Sequence, residues 1–153
     1  LSGRCDIYTT DASGLAATRS TFPNPGNHKI LPEIISKEPL GPAVRQGDDQ
    51  WADIIRWIYN ATVTAEELGV TSSNVDSMKG SSNPEILRLL GVEGSQGEEL
   101  GLSKDWAYQV IKQLGNYGEI FERNIGTNTP IGLARGLNDQ WKNGGLQYSP
   151  PFR

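Results

Sequence analysis

The chain has 153 residues, 36% of them hydrophobic and 21% charged, with a formal net charge of −4. That length suits one domain with a core and falls short of two, while four Trp, five Tyr and three Phe argue against disorder. There is no run of Lys or Arg and no stretch of roughly 18 apolar residues, so nucleic acid is not an expected partner and no membrane span is expected.

The chain opens Leu1-Ser2-Gly3-Arg4 with no initiator Met or export signal and would enter a strand almost at once, which reads as a piece of something longer. Cys5, Ile7 and Tyr8-Thr9-Thr10 predict a short buried strand, with the single Cys5 as a small buried hydrophobe. Asp11 then stands as the N-cap of a small-residue helix over 12–19. Residues 22–27 are dense in turn formers, and 29–35, apolar around Pro32, predict an edge strand or an extended crossover.

Residues 36–39 form a polar linker, and 40–45 predict a further strand ending at Gly47-Asp48-Asp49. The strongest helix signal spans 50–68, with apolar side chains at 51, 54, 55 and 58, a cap at Asp48 or Asp49, and broad burial. Residues 69–103 break into short pieces, including a helix from Asn83-Pro84 to Leu90. Ser103 would cap a helix with apolar positions 106, 107, 110, 111 and 114; Gly115-Asn116 ends it and restarts another through 117, 120, 121 and 125. A last helix is expected over 133–142 around Leu137 and Trp141, followed by an extended tail over 148–153.

Strands followed by helices suggest an α/β arrangement, in which ligands bind outside the carboxyl ends of strands. Asp11 falls at such an end beside the hydroxyls of Thr9 and Thr10, and its carboxylate can pair with an ammonium group, although on the residues alone capping of the helix is the favoured reading. His28 is the only imidazole and lies in an exposed loop, too isolated for a catalytic relay or a metal cluster, so no catalytic residue, metal or other cofactor is expected. The carboxylate pairs Asp48-Asp49, Glu66-Glu67 and Glu98-Glu99 read as caps or solvated surface. Trp51, Trp57, Trp106, Tyr117 and Phe121 read as core.

The run Gly3-Arg4-Cys5-Asp6-Ile7-Tyr8-Thr9-Thr10-Asp11 resembles the second-lobe segment of the type II periplasmic binding proteins for amino acids, above all their general L-amino-acid branch. The likeness continues through Ile34-Ile35-Ser36-Lys37-Glu38-Pro39-Leu40-Gly41-Pro42-Ala43-Val44-Arg45-Gln46-Gly47-Asp48 and Ala65-Glu66-Glu67-Leu68-Gly69-Val70. Asn116-Tyr117-Gly118-Glu119-Ile120-Phe121-Glu122-Arg123-Asn124 is similar to the tyrosine-containing helix near the end of most members. Gly144-Gly145-Leu146-Gln147-Tyr148-Ser149-Pro150-Pro151-Phe152-Arg153 resembles the ending of this branch.

The resemblance implies a helix-rich α/β fold that is part of a two-lobe type II periplasmic-binding-protein architecture. Residues 1–35 would be the C-terminal part of ligand-binding lobe 2 and 36–40 the hinge or crossover. Residues 41–126 would be the C-terminal part of lobe 1, with an inserted segment at about 69–103, and 127–153 a C-terminal extension. The implied function is the solute-binding component of an amino-acid ABC importer, periplasmic or extracellular. Its partners would be an L-amino-acid ligand, the membrane permease subunits and the N-terminal half of the same protein.

By this resemblance Asp11 takes the ligand's α-ammonium group and Thr10 is a weaker pocket contact, whereas Arg4, Arg19 and Arg45 do not match the carboxylate-binding Arg, which belongs to the first half. The chain alone would bind weakly and self-associate. A dehydratase-type enzyme on the same fold, or a ligand-sensing domain, are the alternatives.

Overall fold

The computed structural model describes residues 3–37 and 39–153; Glu38, inside the expected hinge at 36–40, lies outside the described residues. It divides into two compact units, Leu1–Gly41 with Glu122–Ala134, and Pro42–Phe121 with Arg135–Arg153.

The first unit contains α1, Ala12–Ser20, preceded by its cap Asp11, and a 3-10 turn at Pro25–Asn27. Ala16 is buried, and the half-buried His28 ring meets Phe22 edge to face at 4.5 Å. The expected strands at 5–10, 29–35 and 40–45 carry no regular secondary structure, with bends at Asp6 and Pro32. Cys5 is exposed, as are Ile7, Tyr8, Leu31, Ile34, Ile35 and Leu40. These segments have the composition of strands but lack a neighbour. Sheet hydrogen bonds need a second strand alongside, and the described residues supply none.

The second unit is helical and carries the core. Its longest helix, α2, runs Asp49–Glu67, with Asp48 accepting from the Trp51 amide at 3.1 Å. Its C-terminal half, Asn60 to Ala65, is buried; its first turns are not, and Trp51 is 48% exposed rather than core. Four shorter helices follow: α3 Val75–Met78, α4 Pro84–Leu89, α5 Gln96–Glu99 and α6 Trp106–Leu114. Helix α2 packs on α6 and α4, and α6 also packs on α3. The resulting core joins Ala61, Ala65, Val70, Val75, Leu89 and Ile111 with further apolar residues.

Two glycines let the segment between α4 and α6 close against the start of α6. A Cβ on Gly91, whose φ is +68°, would collide with the Lys104 carbonyl, and one on Gly97 with the Ser103 carbonyl. Helix α6 begins at Trp106 with Asp105 as N-cap, two residues later than a Ser103 cap would place it, because Lys104 and Asp105 are spent on a turn.

Helix α7, Tyr117–Asn124, starts from a reciprocal cap. Asn116 Oδ1 accepts from the Glu119 amide at 2.9 Å, and Glu119 Oε2 accepts from the Asn116 amide at 2.8 Å. Glu119 also takes the Ser72 amide and hydroxyl, while Asn116 Nδ2 donates to the Val70 carbonyl, so one cap ties α7 to the turn after α2.

The expected helix over 133–142 is not formed. Two 3-10 turns, Gly136–Asn138 and Trp141–Asn143, stand in its place, and Leu137 and Trp141 are half exposed. Gly132 and Gly136 have positive φ, which interrupts an α-helical run, and Asp139 and Gln140 bond to residues 145–147 instead of continuing a helical ladder. The segment beyond it is clasped to the helices. Thr64 donates to Ser149 at 2.9 Å, Arg88 to the Phe152 carbonyl at 2.9 Å, and Tyr59 hydrogen-bonds Gln147. Phe152 is 2% exposed, edge-on to Trp57 at 5.3 Å and near Trp106 at 6.4 Å, so a residue of the expected extended tail is a core residue.

Candidate functional site

Asp11 sits just before α1 because a short polar acceptor satisfies amides that the first helical turn leaves unpaired. Its Oδ2 accepts from the Gly14 amide at 2.7 Å and the Ser13 hydroxyl at 2.6 Å, and its Oδ1 accepts from the Thr10 hydroxyl at 3.2 Å. The Ser13 hydrogen bond and then the Gly14 amide hold its carboxyl below the ordinary carboxylate range; desolvation opposes them, and Thr10 and the residue's own amide contribute less. The group is therefore an anion at neutral pH. The hydroxyls of Thr10 and Ser13 and the Gly14 amide all point to it.

Gly14 belongs to this arrangement, since a Cβ there would lie 2.9 Å from Asp11 Oδ1 and 3.2 Å from the Thr10 methyl. Ser13 and Gly14 escaped the reading of the sequence. The spacing carried the signal: in Asp11-Ala12-Ser13-Gly14 the second and third helical positions are those a capping carboxylate reaches.

Thr10 is exposed and turned onto Asp11. Arg19 lies in the last turn of α1, at the opposite end of the helix from Asp11. Arg45 lines a shallow recess with Gln46, Gly47 and Asp48 at the start of α2, in the second unit.

Of the paired carboxylates, Asp48 and Asp49 occupy the cap and first turn of α2, and Glu98 and Glu99 the first turn of α5. Glu66 departs from that pattern: it is ion-paired with Arg135, their side chains 19% and 15% exposed. No cluster of three or more His, Cys, Asp or Glu that could hold a metal occurs among the described residues. No helix among them is long and apolar enough to cross a membrane.

No protein-family model matches the chain. It is 63% identical over 153 residues to the general L-amino acid-binding periplasmic protein AapJ of Rhizobium johnstonii, covering 99% of the chain and 45% of that protein. The chain is a homologue of about half of a periplasmic amino-acid-binding protein. It is 60% identical over 152 residues to the glutamate/glutamine/aspartate/asparagine-binding protein BztA of Rhodobacter capsulatus, with the same two coverages. It is 52% identical to the putative amino-acid ABC transporter-binding protein YhdW of Escherichia coli K12.

An ABC transporter periplasmic binding protein from Brucella ovis with glutathione bound superposes with a TM-score of 0.94 at 60% identity, over 99% of the chain and 48% of that structure. The resemblance read from the motifs is borne out, as is the helix-rich, partial two-lobe fold. The chain spans about half the length of the periplasmic binding proteins it matches.

Proposed function

We propose that the chain is the C-terminal half of the solute-binding component of an amino-acid ABC importer, which acts in the periplasm and hands its ligand to membrane permease subunits. The observation that carries this is the TM-score of 0.94 at 60% identity to a periplasmic binding protein, sustained over 99% of the chain. In this reading residues 1–35 close one lobe, 36–40 form the hinge, 41–126 return to the other lobe with 69–103 inserted, and 127–153 extend it. Lobe closure on the ligand signals occupancy to the permease. The protein binds and releases its solute and performs no chemistry on it.

Asp11 is assigned the ligand's α-ammonium group, with Thr10 beside it. Its depressed pKa keeps it charged, and it has no ion-pair partner among the described residues. An α-ammonium and α-carboxylate pair is also the chemistry of the γ-glutamyl end of glutathione, so one anchor serves amino acids and that tripeptide alike.

The test is a thermal-shift panel on the full-length protein with acidic, amide, basic and aliphatic L-amino acids and glutathione. Stabilisation that grows with the concentration of several of them is the expected result. Turnover of a cyclohexadienyl acid by the same protein, with no amino-acid stabilisation, would replace binding with catalysis.

A further inference from the structure

Apart from Asp11, one recess of the second unit combines charge and aromatic surface in a way the proposed solute site does not use. It has a volume of about 240 Å³ and is walled by Glu67 at the end of α2, Glu85 in the first turn of α4, Trp141, Tyr148, Pro150 and Pro151. Trp141 and Tyr148 meet edge to face with centroids 6.3 Å apart, and both are more than half exposed. Trp141 Nε1 donates to Glu67 Oε1 at 3.0 Å, which sets the indole beside the carboxylate.

Neither Glu67 nor Glu85 has an ion-pair partner among the described residues. The nearby Lys142 ammonium goes to the main-chain carbonyl of Glu67 at 2.9 Å, where it answers the partial negative charge of the α2 C-terminus rather than a carboxylate. The recess therefore keeps two negative charges beside two aromatic rings.

We infer that this recess is a docking site for an arginine side chain presented by a partner protein. A planar guanidinium both stacks on an aromatic face and forks onto a carboxylate, which a compact ammonium does not match. The recess is smaller than the roughly 300–1,000 Å³ of sites that enclose a whole small ligand, and so takes one side chain of a larger molecule. Leu137 and Leu146, exposed and joined by the Leu146 amide to the Leu137 carbonyl at 2.9 Å, give the same C-terminal segment an apolar surface for the rest of such a partner.

The experiment follows the Trp141 indole N–H by NMR in isotope-labelled full-length protein. The protein is titrated with a capped Gly-Arg-Gly peptide, and separately with the peptide carrying neutral citrulline in place of arginine. The expected result is a saturable shift with the arginine peptide and none with the citrulline peptide. In the surface double variant E67Q/E85Q the affinity falls about tenfold or more, as loss of both charges at a cation site requires, while amino-acid binding is unchanged. Equal shifts with both peptides, undiminished affinity in the double variant, or no saturable shift because the recess is filled by another part of the polypeptide would each overturn the assignment.

Discussion

Arg135 forks onto Glu66 across 69 residues of sequence, Nη1 to Oε1 at 2.9 Å and Nη2 to Oε2 at 3.1 Å. Its guanidinium also lies 5.3 Å from the centroids of both Tyr117 and Phe121, so one side chain fixes α2, α7 and the start of the C-terminal segment together. Burial works against the Arg135 charge, but the hydrogen bonds and charge of Glu66 outweigh it and hold its pKa above the ordinary value. Planarity matters here, so lysine is a poor replacement.

Removal of one partner leaves the other's charge poorly solvated. Both Arg135→Met and Glu66→Gln are expected to cost about 2–3 kcal/mol in urea unfolding. The double variant should cost clearly less than the sum of the two, because the pair is one interaction. Strict additivity would show that the two side chains act independently.

Phe152 fills space between Trp57 and Trp106, so Phe152→Ala should destabilise by about 3–5 kcal/mol. Phe152→Leu should recover much of that loss. A stability within experimental error of the parent in Phe152→Ala would mean that the C-terminal residues are not part of the core.

The charge of Asp11 is held by Ser13 more than by Thr10. Ser13→Ala should therefore raise the Asp11 pKa towards the ordinary carboxylate value by more than Thr10→Val does, as read by NMR titration of its carboxyl carbon. Since the folded pKa is depressed, the cap's contribution to stability is complete above the unfolded carboxylate pKa and is lost as pH falls through the lower folded value. A larger effect from Thr10→Val would invert the assignment of donors.

Helices with a cap and a 3.6-residue apolar period were legible: Asp11 before α1, Asp48 before α2, Asn83-Pro84 at α4, and Asn116 before α7. Each is a local signal, decided within one or two turns. Strand candidates such as 5–10 were legible only as composition, because a strand exists through its neighbour and the described residues offer none. Trp141 fits a helical stripe as well as a 3-10 turn, and the pairing of Gln140 with Gln147 decides between them. Phe152 gave no periodic signal at all, since a single aromatic in a proline-rich tail becomes core only when a gap between two distant tryptophans receives it.

The exposed side chains of Ile7, Tyr8, Ile34 and Ile35 present apolar surface in the first unit. By the proposed reading the other half of the protein covers them, so the isolated chain should self-associate in sedimentation at concentrations where the full-length protein does not. A clean monomer for the isolated chain would count against that reading.

The most direct test of the account is calorimetry of the full-length protein with L-amino acids, comparing the parent with Asp11→Asn and Asp11→Ala. Asparagine keeps the cap on α1 and removes the charge, so it separates folding from recognition. The account predicts that Asp11→Asn folds like the parent yet binds about 10–100-fold more weakly, the loss expected for a charge-assisted bond to an ammonium group. Parent-like affinity in Asp11→Asn would leave Asp11 as a helix cap and nothing more.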